Sequence, residues 1–247
     1  MSRSAIVTGS AGGIGADIAR VLAEAGYTVG ILDIGAEAVA ARCAEVPGSC
    51  ALPCDVTDEA AVAEAFDRFG GAPDLVVNNA GIVRFGPLAD QSVADFRRVV
   101  DVNLLGVYIV TREATRRMLE RGTGHVISLT SINAYSPGPG SGAYPATKTA
   151  VKQLMKQFAL EYGGAGLRFN SIAPGFIDGG MSTPIYADPK VRAARAGGVP
   201  LGRLGTTRDI ANAVLMLDSE GSGYISGVDL VVDGAVRHAV LKNLPRE

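Results

Sequence analysis

Tyr144 and Lys148 stand one helical turn apart in Tyr144-Pro145-Ala146-Thr147-Lys148, so in a helix they share a face. A free tyrosine has a pKa of about 10 and is a poor base near neutrality. A neighbouring ammonium favours the phenolate and draws that pKa toward the working range of a general acid/base. Upstream, Ser131 follows an apolar run and offers a hydroxyl that can orient a reacting oxygen and stabilise charge developing on it. Taken alone, Tyr-x-x-x-Lys is an ordinary surface helix pair. Together with Ser131 and a glycine-rich turn near the N-terminus, the pair satisfies the roles expected of one proton-transfer site.

That turn is Thr8-Gly9-Ser10-Ala11-Gly12-Gly13-Ile14-Gly15. Glycines let a backbone turn sharply and approach a pyrophosphate with no Cβ in the way, and a helix starting there offers N–H groups and a positive dipole end. Gly9, Ala11, Gly13, Ile14 and Gly15 are therefore candidate cofactor-binding residues, although the spacing differs from the generic G-x-G-x-x-G and a tight turn without a ligand is the alternative. Asp33 ends the second apolar run, close to the separation of about 20 residues expected for an acidic residue on the adenosine ribose. A carboxylate there accepts from the 2′-hydroxyl of NAD and repels the 2′-phosphate of NADP, and Ile34, Gly35 and Ala36 supply no compensating cation. NAD is the expected cofactor; an Asp capping the next helix is the alternative. Asp55, closing the third run, with Val56 after it, and Asn79, Ala80 and Gly81 after the fourth, sit where a cofactor lying across the carboxyl edge would be contacted. Asp58, before an Ala/Glu-rich stretch, reads as a helix N-cap.

These residues need a scaffold. Continuous apolar runs at 5–8, 28–33, 50–55, 75–78, 125–130, 168–173 and 229–232 predict strands buried on both faces. Helical spacing covers 14–25, 36–45, 59–69, 92–120, 143–162 and 207–217, with a bend expected near Asn103. Alternating strands and helices imply right-handed crossovers. The expected fold is α/β: a doubly wound Rossmann-type domain spanning 1–247, with a mostly parallel seven-stranded sheet and helices on both faces. The segment 176–205 lacks periodicity and follows a strand's carboxyl end, which marks it as a substrate lid. With the loop 133–140, its Met181, Ile185 and Tyr186 point to a mainly apolar pocket, with ordinary loop packing the alternative.

Composition narrows the class. The 247 residues are 47% hydrophobic, include 32 glycines, and carry a formal net charge of −2, which with no long basic run excludes a nucleic-acid binder. There is no run of about 18 apolar residues for a membrane span and no signal-peptide pattern, so a cytoplasmic location is expected. Cys43, Cys50 and Cys54 form no disulfide framework. With His125 and His238 the only histidines, no metal centre is expected.

Thr8-Gly-x-x-x-Gly13-Ile-Gly15, Asn78-Asn-Ala-Gly81, Asn103, Ser131, Tyr144-x-x-x-Lys148 and Pro174-Gly175 occur in the order found in the short-chain dehydrogenase/reductase superfamily. The chain resembles its short, single-domain branch over essentially its whole length. The resemblance implies NAD(H)-dependent interconversion of a secondary alcohol and a ketone, with Tyr144 removing or returning the hydroxyl proton. It implies that Lys148 also binds the nicotinamide ribose, that Asn103 holds a water in a proton relay, and that Pro174, Gly175 and Ile177 line the cofactor. An Asn in an apolar helical run is costly unless satisfied, and a structural Asn at a helix bend is the other reading of Asn103. Gly179 and Gly180 stand where many members place a cofactor-contacting Thr, leaving Ser182 or Thr183 to take over. Reduction of a 3-oxoacyl thioester is the alternative reaction. A catalytically inactive NAD-sensing protein is the non-enzyme alternative, and the intact Ser131, Tyr144 and Lys148 argue against it. The resemblance also implies a homotetramer or homodimer, joined through 92–120, 143–162 and the last strand. The tail beyond Gly234 either covers a neighbouring subunit or packs on its own.

Overall fold

A computed structural model of the chain describes residues 3–240. Its strands are β1 (Ser4–Thr8), β2 (Thr28–Asp33), β3 (Cys50–Pro53), β4 (Leu75–Asn78), β5 (Gly124–Leu129), β6 (Leu167–Pro174), β7 (Ile177–Asp178), β8 (Gly205–Thr206) and β9 (Asp229–Val232). The helices are α1 (Gly13–Glu24), α2 (Ala36–Glu45), α3 (Glu59–Phe69), α4 (Val93–Val100), α5 (Gly106–Arg121), α6 (Tyr144–Tyr162), α7 (Thr183–Tyr186), α8 (Pro189–Gly198) and α9 (Thr207–Leu217). Among the described residues, seven strands form one sheet in the order β3-β2-β1-β4-β5-β6-β9. Every pairing in it is parallel. This is the Rossmann-type order expected from the alternating pattern.

The central apolar runs are continuous because β1, β2, β4, β5 and β6 bury both faces. Ala5 and Val7 of β1 join Ile18 and Leu22 of α1 and Ile210 and Val214 of α9 in one core. Ile6, between them, belongs to a second core with Phe66 of α3, Val110 of α5 and Val151 and Met155 of α6. Successive strand residues point to opposite faces, so one strand feeds both layers. Burying a Leu, Ile, Val or Phe side chain contributes roughly 1.5–3 kcal/mol.

Helix ends follow local chemistry. The Asp58 carboxylate accepts from the N–H groups of Ala60 and Ala61 at the start of α3, as the sequence predicted. The stretch 92–120 is not one regular α-helix: α4 and α5 are joined by a π-helical turn at Asp101–Leu105 containing Asn103. The third strand stops at Pro53, which places Asp55 in the following loop. The segment 176–205 is more ordered than its missing periodicity indicated. It holds α7 and α8, and β7 pairs with β8 to pin its two ends together. Short helices leave too few turns for an apolar stripe to be read. No helix among the described residues is long and apolar enough to cross a membrane.

Candidate active site

The strand order reverses between β1 and β4, and the loops leaving their carboxyl ends diverge into a crevice. The glycine-rich turn forms one wall. Gly9 has φ +63°, and a Cβ on it would stand 2.8 Å from Ala80 Cα; on Gly13, at φ +56°, it would stand 2.9 Å from Gly180 Cα. A Cβ on Gly15 would lie 2.3 Å from the Gly9 carbonyl oxygen. These three glycines are thus required by the packing of the turn on itself and on the backbone at Ala80 and Gly180. Gly12 differs: nothing lies within 4 Å of the Cβ position. Gly12 caps α1 with no side-chain hydrogen bond at that end, and it lines the crevice. Open space beside uncapped helix N–H groups suits a pyrophosphate.

The nucleotide half of the crevice encloses about 320 Å³ and includes Gly9, Gly13, Ile14, Asp33 and Asp55, with Val56, Asn79, Ala80 and Gly81. Ala11 lies behind it. The Ala11 N–H donates to Asp33 Oδ2 at 3.0 Å, and the Ala11 carbonyl accepts from Arg42 Nε at 3.3 Å. Asp33 Oδ1 accepts from the Ile34 N–H at 2.8 Å. Burial works to raise the pKa of Asp55, but the N–H and hydroxyl of Thr57 and the nearby Arg98 guanidinium hold it below the usual carboxylate value. Asn79 bridges the walls, its Nδ2 donating to the carbonyls of Thr8 at 3.0 Å and Gly9 at 2.9 Å.

Ile14, Asn79 and Met181 also border the adjoining cavity of about 820 Å³, so the two halves are continuous. Ser131, Tyr144, Lys148, Pro174, Gly175 and Ile177 line this second half. The Lys148 ammonium lies 5.5 Å from the centre of the Tyr144 ring and donates to the Leu129 carbonyl at 2.7 Å. Burial lowers its pKa to about 8. Burial pushes the Tyr144 phenol up, and the hydrogen bond with Ser131 draws it down. Asn103 is fully buried. Its Oδ1 accepts from the Ile82 N–H at 2.8 Å, and its Nδ2 donates to the Ile82 carbonyl at 2.9 Å. Nδ2 also donates to Thr147 Oγ1 at 3.3 Å. Asn103 therefore ties the π-helical turn to the loop after β4 and to α6.

A family model described as enoyl-(acyl carrier protein) reductase matches residues 9–236. The chain is 39% identical over 240 residues to the cis-4-hydroxycyclohexanecarboxylate dehydrogenase of Sinomonas cyclohexanicum, covering 94% of this chain and 95% of that one. It belongs to the short-chain dehydrogenase/reductase family. Another member, the 2,5-dichloro-2,5-cyclohexadiene-1,4-diol dehydrogenase of Sphingobium indicum, is 38% identical, with 93% of this chain and 94% of the relative covered. The solved 3-oxoacyl-[acyl-carrier protein] reductase with bound NAD from Brucella melitensis superposes with a TM-score of 0.87 at 34% identity, covering 94% of this chain and 90% of that one.

Within this family fold, the structure adds residues that motif reading missed. Gly12 and Gly180 complete the glycine-rich wall, and Ile82 and Arg98 line the nucleotide half. Gly180 has φ +59° and packs on Gly13, so the double glycine in place of a Thr permits a backbone-to-backbone contact. Of the two hydroxyls weighed as substitutes, Ser182 borders the cavity and Thr183 is exposed. The tail from Gly234 turns back over its own catalytic half, where Val236, Arg237 and Val240 line the cavity; residues 241–247 lie outside those described. No local periodicity announces such contacts.

Proposed function

We propose that the chain is an NAD(H)-dependent oxidoreductase that interconverts a small secondary alcohol and its ketone. The observation carrying this reading is that Ser131, Tyr144 and Lys148 meet on one wall of a cleft continuous with the glycine-rich turn and Asp33. Gly9, Gly12 and Gly13 with the start of α1 hold the pyrophosphate, and Asp33 accepts from the adenosine ribose. Asp55, Val56, Asn79, Ala80 and Gly81 line its path, and Lys148 with Pro174, Gly175 and Ile177 holds the nicotinamide end. When bound there, NAD⁺ supplies the two-electron hydride acceptor.

In the oxidative direction Tyr144 takes the hydroxyl proton, and in the reductive direction it returns one to the alkoxide. Ser131 holds the reacting oxygen and eases deprotonation of the phenol. Lys148 adds positive charge beside the ring. Asn103 positions α6 through Thr147 and is the relay residue by family resemblance. NAD is favoured over NADP by the Asp33 carboxylate, and the relative solved with NAD is consistent with that choice.

The two dehydrogenases among those relatives are named for ring alcohols, which supports a cyclic secondary alcohol as the first substrate to test. The experiment is NADH formation from NAD⁺ with cis- and trans-4-hydroxycyclohexanecarboxylate, cyclohexanol and linear secondary alcohols. Absence of turnover across the panel overturns the reading. The second reading, 3-oxoacyl thioester reduction, draws support from the reductase relative; faster oxidation of NAD(P)H by an acetoacetyl thioester than by any cyclic ketone would establish it.

Cytoplasmic location and self-association belong to the same proposal. Three free cysteines suit a reducing compartment. Exposed apolar side chains on α4, α5 and α6, among them Phe96, Tyr108 and Leu160, suit a homodimer or homotetramer.

A further inference from the structure

The catalytic half of the cleft holds an unbalanced charge. Lys148, Arg195 and Arg237 line it, and none of its described lining residues is acidic. Lys148 is engaged by the Leu129 carbonyl. The two arginines have no carboxylate partner among the described residues, whereas their neighbours do: Arg192, on the same helix as Arg195, pairs with Asp178, and Arg203 pairs with Asp209.

What holds the two guanidinium groups is aromatic. Arg195 lies over the rings of Phe176 at 5.0 Å and Tyr186 at 5.8 Å. Arg237 lies over Tyr135 at 4.7 Å, and its Nε is buried without a hydrogen-bond partner among the described residues. Two carboxylates around Arg237 and its Tyr135 partner are otherwise engaged. Asp229 accepts from Tyr135, Thr130 and Ser171, and Asp233 accepts from the backbone N–H of Arg237 rather than from its side chain. Stacking uses the face of a guanidinium and leaves its N–H edge free for the two oxygens of a carboxylate. Both arginines are only partly buried, so water solvates them in part, and a carboxylate entering the cleft can replace that water with charge-assisted hydrogen bonds.

Resting on the function proposed above, we infer that the substrate is a secondary alcohol bearing a carboxylate, which Arg195 and Arg237 bind while the hydroxyl faces Ser131 and Tyr144. The anion is not the cofactor's pyrophosphate, because both arginines line the catalytic half and neither lines the nucleotide half. Arg195 rides on the lid and Arg237 on the C-terminal segment, and both face the one cavity that Ser131 and Tyr144 line.

The test uses the full chain with NAD⁺ and compares kcat/KM for 4-hydroxycyclohexanecarboxylate with that for its methyl ester. Charge-assisted, bidentate recognition predicts an acid-over-ester ratio of about tenfold or more. Arg195→Gln and Arg237→Gln should each pull the ratio toward one, and Arg→Lys at either position should restore part of it. A wild-type ratio near one overturns the inference while leaving the oxidoreductase reading in place. So does better use of a neutral 3-hydroxybutyryl N-acetylcysteamine thioester, which stands for a carrier-bound acyl substrate. If no alcohol is oxidised at all, the function proposed above fails, and calorimetry still decides the anion site. Cyclohexanecarboxylate should then bind about tenfold more tightly than cyclohexanecarboxamide, and equal affinity overturns the inference.

Discussion

Lys148 Nζ donates to the carbonyl oxygen of Leu129 at 2.7 Å, tying α6 to the carboxyl end of β5. The bond aims the ammonium at the cleft, and burial lowers its pKa from 10.5 to about 8. The unfolded chain therefore holds more protons than the folded one between those values, and stability rises with pH through that window. Urea unfolding at about pH 7.5 and about pH 9.5 should show wild type gaining on the order of 2 kcal/mol relative to Lys148→Met. Parallel pH profiles for the two proteins would contradict it.

Tyr144 and Ser131 are coupled in the same way. The serine hydroxyl opposes the upward push of burial on the phenol. Alcohol oxidation needs the phenolate, so Ser131→Ala should move the rising limb of the kcat/KM–pH profile to higher pH and lower the rate at neutrality. Tyr144→Phe should cost about 10³-fold or more in kcat, with NAD⁺ affinity by fluorescence titration changing less than about threefold. Substantial turnover by Tyr144→Phe would remove the tyrosine from the chemistry.

Asp33 receives the Ala11 N–H on one oxygen and the Ile34 N–H on the other, so its carboxylate is fixed at the nucleotide wall. Removing a like charge from beside a 2′-phosphate relieves a cost of several kcal/mol. Asp33→Ser should reduce the NAD-over-NADP preference in kcat/KM by at least about 30-fold. A wild-type preference for NADP would refute the ribose assignment, with Arg42, hydrogen-bonded to Ala11, the first cation to examine.

Gly15 leaves no room for a methyl group, since its Cβ would sit 2.3 Å from the Gly9 carbonyl. Gly15→Ala must open the turn, which should weaken NAD⁺ binding by more than about tenfold. A loss of 1–2 kcal/mol corresponds to a melting temperature lower by roughly 2–8 °C. Gly12→Ala, with open space at its Cβ, should leave the melting temperature within about 1 °C of wild type, a shift of a few tenths of a kcal/mol, and affect binding alone. Calorimetric scans separate the two.

At the opposite edge of the sheet, Asp218 is almost fully buried. It accepts from Arg3 at 2.7 Å and Tyr27 at 2.7 Å, and lies 2.8 Å from His125 Nδ1. Removing one partner from such a group leaves buried cationic and polar atoms uncompensated, so Asp218→Ala should cost about 3–5 kcal/mol. Denaturant titration measures it, and a change under about 1 kcal/mol would show the network to be dispensable.

The sequence alone determined the seven strands of the main sheet to within a few residues, the longer helices and the glycine-rich turn, and it marked Ser131, Tyr144 and Lys148 as candidates. All of these rest on short-range rules, because side-chain periodicity and motif spacing are properties of neighbouring residues. It also marked Asn103 as the place where the long helical run is irregular, since a lone amide in an apolar helical run has to find partners. Only the tertiary structure decided what those partners are, that Gly13 meets Gly180, and that Arg3 pairs with Asp218 across the chain. Only there do the lid arginine Arg195 and the tail arginine Arg237 face one cavity. Such pairings are made by crossovers that bring distant segments to one edge of the sheet, and no local period encodes which side chains will meet there.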